Sequence, residues 1–158
     1  MIVPGFRGYR IREDLRDSDR ILRAEIAKRL AQQRAQLEDA RKALVRENPM
    51  SKALEDIGGA ISAMKRVEGE IQHAEVGYSG IAADVRFKQD EIYNLYDYDI
   101  SILESIAFID QALVHIPSLV RSGNDADLRS SINTVMDRVT GLEERFKRRK
   151  ATITGTGL

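Results

Sequence analysis

Apolar residues recur in one helical phase from Met50 to about Val120. Ile57, Met64, Ile71, Tyr78, Val85, Ile92, Ile106 and Leu113 fall on one seven-residue grid, and Ala60, Val67, Ala74, Ile81, Leu95, Ile102, Ile109 and Ile116 fall three residues later. Only Asp99 and Lys88 interrupt the two rows. A stripe that holds phase for so long predicts one helix, or helices stacked nearly end to end. At 1.5 Å per residue, a helix over about 51–121 spans roughly 105 Å.

Two further helices flank this stretch. The first is expected from about Arg10 to Glu47, with the apolar row Ile11, Leu15, Leu22, Ile26, Leu30, Leu37, Ala40 and Leu44. Its 22–26–30 step inserts four residues into the heptad, which relaxes a left-handed supercoil. Glu13, Asp14 and Asp17 are placed in its early turns, where the helix dipole favours negative charge. Asn48-Pro49 ends it, because the residue before proline is pushed out of the α region. Ser51 is the expected N-cap of the central helix, and so short a connection makes an antiparallel hairpin. Pro117 is expected to kink the end of the central stretch, Gly123 to supply a left-handed C-cap, and Asn124 or Asp125 the next N-cap. The last helix, about 125–150, carries Leu128, Ile132, Val135, Val139, Leu142 and Phe146 in a clean heptad.

The expected architecture is therefore all-α. It is an elongated antiparallel hairpin or coiled-coil bundle, with a long central helix flanked by helices about 10–47 and 125–150. Gly77 to Gly80, within EVGYSG, are the expected place of a kink, although the apolar phase passes through them unchanged. A turn at 77–80 would fold the chain instead into a compact four-helix bundle. Residues 1–9, with Pro4, Gly5 and Gly8, read as an irregular arm, and residues 151–158 as a disordered tail. The whole is one domain.

Composition narrows the class. Charged residues make up 32% and aromatics 6%, as in long solvent-flanked helices. The longest charge-free apolar window, Gln111–Val120, is about half the length of a membrane span. The N-terminus lacks the apolar core of a signal peptide. Together these give an expectation of a cytoplasmic protein, peripheral to a membrane at most. There is no cysteine, which excludes disulfides, thiol catalysis and thiolate metal sites. Formal net charge is zero, but residues 1–50 sum to +4, 51–121 to −6 and 122–158 to +2. An acidic middle with basic flanks suits a middle that pairs with both, and it is not the uniform basic character of a nucleic-acid binder.

Candidate chemistry is sparse. Glu70 and His73 form an E-x-x-H pair, which ferritin-like di-iron bundles use twice, together with two further carboxylates. His115, the other histidine, has no glutamate three residues before it. No metal and no cofactor are therefore expected, and Glu70 and His73 read as a solvated helix face. Asp90, Glu91, Asp97, Glu104 and Asp110 read as an acidic face meeting basic helices. Asp99 differs because it stands in the apolar row, where a polar residue can set register or oligomeric state. Its burial would require a partner such as an arginine from another helix or subunit. Tyr96, Ile100, Leu103, Ala107 and Phe108 widen the apolar face beyond what one more helix can cover, so a homo-oligomer is expected, with Tyr96, Asp99, Ile100, Leu103 and Phe108 at the contact. Phe6, Tyr9, Lys147, Arg148, Arg149 and Lys150 are the candidates for touching an anionic membrane surface or other anion. Phosphate-binding loops, Ser/His/Asp constellations and zinc spacings are absent.

The functional expectation is a non-enzymatic structural or adaptor protein acting through self-association and protein–protein contacts. The alternative is a peripheral membrane assembly protein, which resembles ESCRT-III/PspA-type and BAR-type proteins in its long helical hairpins only. A helical-bundle metal-binding protein ranks third.

Overall fold

The structure, a computed structural model, describes the backbone of residues 4–73 and 89–154 and the side chains of residues 17–73, 97–149 and 151. Five helices result: α1 (Pro4–Glu47), α2 (Ala53–His73), α3 (Gln89–Leu113), α4 (Ile116–Ser122) and α5 (Asp125–Thr154). There is no strand among the described residues. Helix α4 continues α3 after a break at Val114–His115, so the described residues form a bundle of four helical rods.

The hairpin between α1 and α2 forms as its sequence requires. The Asn48 amide still bonds the Leu44 carbonyl at 2.8 Å, and the Ser51 amide bonds the Asn48 carbonyl at 3.1 Å. The Ser51 hydroxyl accepts the Ala53 amide at 3.1 Å, satisfying one of the donors orphaned at the helix start. At the other turn Gly123 takes the left-handed conformation, φ 71°. Asn124 then caps α5: its side-chain carbonyl accepts the Asp127 amide at 3.1 Å while its amide group donates to Asp127 Oδ2 at 2.7 Å.

α1 packs on α2, α3 on α5, α2 on α5 and α1 on α3, with α4 closing against α1 and α5. Two expectations meet this arrangement directly: α1 lies along α2, and α5 lies along α3. The unbroken central helix over 51–121 is not adopted. Arg34 meets Glu68 across α1 and α2, whereas Arg29 meets Asp110 and Asp19 shares Arg149 with Asp99. Thus α1 and α3 run one way while α2 and α5 run the other, and α2 and α3 sit across the bundle from each other. The chain has reversed between His73 and Gln89, as the four-helix alternative expects; its proposed break at 77–80 lies outside the described residues. The long-hairpin architecture shared with BAR-type and ESCRT-III/PspA-type proteins goes with the central helix.

The two ends of the chain also differ from expectation. α1 begins at Pro4, not near Arg10. Proline is compatible with the first helical turn, where its missing N–H has no partner anyway, and Gly5 and Gly8 weaken a helix without forbidding it. Glu13, Asp14 and Asp17 consequently lie beyond the first turn, too deep to answer the dipole. At the other end α5 includes Ala151 to Thr154, which were expected in a disordered tail.

One core joins all the helices. The grid residues Ile57, Met64, Ile71, Ile106, Leu113, Ala60, Val67, Ile102, Ile109 and Ile116 are buried, as are all six heptad residues of α5 and the α1 row from Leu22 to Leu44. The α1 seam, however, is not the one its apolar residues outline. Asp19, Arg23, Gln33 and the apolar Ile26, Leu30, Leu37, Ala40 and Leu44 are all buried, and they alternate by four and three without interruption. There is no inserted step: polar residues occupy three positions of an unbroken heptad. Among the described residues, the run Asp97–Ser122 is long and apolar enough to cross a membrane by length and composition alone. Much of that apolar character is engaged within the bundle, since Ile102, Ile106, Ile109, Leu113, Ile116 and Val120 form its core.

Candidate functional site

Two features stand out from ordinary bundle packing: a buried ion cluster at one end, and an uncovered apolar face on α3.

The cluster joins three helices. Arg149 of α5, 3% exposed, donates to Asp19 of α1, 2% exposed, through Nη1, and to Asp99 of α3 through Nε at 2.5 Å. Arg23, one turn beyond Asp19, reaches the second Asp19 oxygen at 3.0 Å. The four charges sum to zero, which a low-dielectric interior demands. Burial works against the Arg149 charge, but Asp99 and Asp19 outweigh it and raise the guanidinium pKa above its ordinary value. Burial pushes the Asp99 carboxyl up against the opposing pull of Arg149, and the nearby negative charge of Asp19 adds to the rise. Asp19 has two cations and Asp99 shares one, so Asp99 is the less satisfied carboxylate. Farther along, Gln33 of α1 donates to the Ile106 carbonyl at 3.0 Å and to Asp110 at 2.8 Å on α3. Arg145 of α5 donates to Ser105 of α3. These bonds join α1, α3 and α5 and fix their relative register.

The apolar face lies on the opposite side of α3 from its core residues. Ile100 is 55% exposed, Leu103 46% and Val114, just past the helix, 66%. Ala107 is exposed between them. Their spacing of three, four and seven residues puts them in one stripe along the helix. Glu104 and Asp97 lie along one edge, both exposed and, among the described residues, without a cationic partner. α3 carries no lysine or arginine at all.

A second open surface lies between α1 and α2, near their hairpin. It is a groove of about 650 Å³ lined by Glu38, Arg41, Lys42, Val45, Arg46 and Ile61. Val45 is half exposed. Among the described residues Arg41, Lys42 and Arg46 meet no carboxylate, while Glu38 is held by Arg34 at 3.1 Å.

The candidate residues from the sequence scatter across these features. Asp99 has the arginine partner that its place in the apolar row requires, and that partner is in the same chain, not in another subunit. Arg149, taken as a contact for an outside anion, is turned inward to hold the cluster and is closed to one. Lys147 lies on the surface, 3.0 Å from Glu143, and Arg148 is exposed. Ile100 and Leu103 are on the open face. Phe108 is turned toward α5, where Arg138 stacks 5.3 Å from its ring centre. Glu70 is bonded to Arg66 at 3.0 Å, and His73 ends α2 on the surface. Among the described residues no three metal-binding side chains converge. The side chains of Phe6, Tyr9, Tyr96 and Lys150 lie outside the described residues.

No family model, curated protein or solved structure matches the chain. Its own geometry therefore carries the functional argument. The ion pairs between helices mostly join a basic flank to the acidic middle: Arg29 with Asp110, Arg34 with Glu68, Arg129 with Asp56 at 2.7 Å, and Arg149 with Asp99. Arg66 with Glu143, at 2.6 Å, reverses the polarity and pulls the Glu143 carboxyl down to about 2. Sequence reasoning missed Asp19, Arg23 and Gln33, although their heptad spacing from Ile26, Leu30 and Ala40 was there to read. It missed Arg149 as a seam residue too, though 149 continues the series 128, 135, 142.

Proposed function

We propose that this chain is a non-enzymatic helical structural or adaptor protein, acting through self-association and protein–protein contacts. The open stripe Ile100, Leu103, Ala107 and Val114 carries the reading. Among the described residues these side chains face away from the core and nothing covers them, and a run of this kind on one helix marks an interaction surface. The buried bonds support it from the other side: Arg149 holds Asp19 and Asp99, and Gln33 holds α3, contacts that set the register between helices. The inner half of α3 is engaged with α1 and α5, which weighs against membrane insertion of that helix.

Sedimentation equilibrium over a wide concentration range tests the proposal. The wild-type mass is expected to exceed the monomer's 17.8 kDa and to rise with concentration. The variant Ile100→Ser/Leu103→Ser is expected to stay near the monomer mass. A wild-type chain that remains monomeric throughout contradicts self-association.

A further inference from the structure

We infer that the occupant of the open α3 face is a second copy of this chain, and that it docks through the basic groove between α1 and α2, giving head-to-tail assembly. The inference rests on the self-association reading and specifies its geometry.

The two surfaces match in both chemistry and form. The α3 stripe is a helix with apolar anchors at i, i+3 and i+7 from Ile100, edged by the unpaired carboxylates Asp97 and Glu104. The groove is lined by the apolar Val45 and Ile61 and the cations Arg41, Lys42 and Arg46, and its one lining carboxylate, Glu38, is held by Arg34 at 3.1 Å. An amphipathic helix laid in an apolar groove is a recurring recognition mode, and its anchors follow this spacing. Charge decides the direction. Two copies of the α3 face brought together would juxtapose four carboxylates with no cation on either helix, and two copies of the groove would juxtapose six cations. Like charges across an interface are strongly unfavourable, so each surface rejects itself and accepts the other. Because the two surfaces lie on different sides of the bundle, the contact is heterologous. Such a contact propagates, closing into a ring or extending into a filament according to the rotation per copy.

Two variants of the full chain test this by mixing. Ile100→Ser/Leu103→Ser removes the apolar anchors of the α3 face while leaving its carboxylates, and Lys42→Glu/Arg46→Glu places acids on the groove, so the two spoiled surfaces do not match each other; all four positions are on the surface, and helical circular dichroism and a cooperative thermal transition serve as the folding check. Each variant alone is expected to be monomeric by sedimentation, because each has one spoiled surface. Mixed, they are expected to form a 1:1 dimer of twice 17.8 kDa and nothing larger, since one intact face meets one intact groove. If the wild type associates but the groove variant associates equally well, the head-to-tail geometry is wrong while self-association stands. If the wild type is monomeric at every concentration, both fall. Should either variant fail to fold, Glu104→Lys and Lys42→Glu provide a milder exchange: each alone is expected to weaken association, and the two in one chain to restore it. Failure of that restoration counts against the inference as well.

Discussion

α1 and α3 lie side by side and run in the same direction, yet they reverse the usual distribution of polarity. α1 buries Asp19, Arg23 and Gln33 and surrounds itself outside with charge, exposing two large apolar side chains among the described residues, Ile21 at 69% and Val45 at 50%. α3 exposes Ile100, Leu103 and Ala107 along its outer side. The difference shows that burial here follows from available partners. Asp19 and Gln33 are inside because Arg149 waits on α5 and the Ile106 carbonyl and Asp110 wait on α3. The outer stripe of α3 is in water because nothing in the described chain reaches it.

The polar interior is most vulnerable at Arg149. Arg149→Ala strips Asp19 and Asp99 of a shared cation and leaves carboxylates in a dry site; the expected loss in chemical denaturation is about 3–5 kcal/mol. Ile106→Ala, on the inner side of α3, is expected to lose about 2–5 kcal/mol through lost burial and the cavity left behind. Replacing Asp19, Arg23, Asp99 and Arg149 together by apolar residues of similar volume should reverse the sign, with stability unchanged or raised by about 1–4 kcal/mol, because the desolvation of all four charges is relieved at once. The outer side of α3 should respond differently: Leu103→Lys is expected to alter the stability of the monomer by no more than about 0.5 kcal/mol while abolishing association.

Acid separates the surface carboxylates from the interior ones. Glu143 is bonded by Arg66 and Lys147 and titrates near about 2 when folded, against an ordinary 4.5. A depressed folded pKa means stability that is complete above pH 4.5 and lost as pH falls toward about 2. Asp99 has the opposite sign. Its folded carboxyl holds a proton more readily than the unfolded one, so its contribution falls as pH rises above the ordinary 3.8. Glu143→Gln should therefore flatten the acid limb of the stability profile, and Asp99→Asn should steepen it.

Much of the fold was legible in the sequence, and the misses share a cause. Apolar periodicity located the core of α2, α3 and α5 because those seams are nearly free of polar residues. In α1 the same method followed the apolar residues around Gln33 and Asp19 and inferred an inserted step that is not there. The long central helix was a different error. Residues 71 and 106 stand a whole number of heptads apart, and that agreement was read as continuity. Two antiparallel helices with the same repeat can match in phase by coincidence, so phase says nothing about direction. The partner of Asp99 was foreseeable as an arginine but not as Arg149, because a basic run at a helix end reads as surface until the heptad is carried through it. The basic groove was not legible at all, since it is made by two helices and neither shows it alone.

Self-association through α3 requires its outer side to be covered by another copy, while the outer side of α1 around Ile21, away from the groove at 38–46, stays in water. The chain has no cysteine, so a single one can report on each face. The direct measurement is the rate at which Ala107→Cys and Ile21→Cys react with a thiol reagent as protein concentration rises. Labelling at 107 is expected to slow progressively while labelling at 21 keeps one rate. Equal, concentration-independent rates at both positions would mean that the α3 face stays open to water, and the proposed assembly would be wrong.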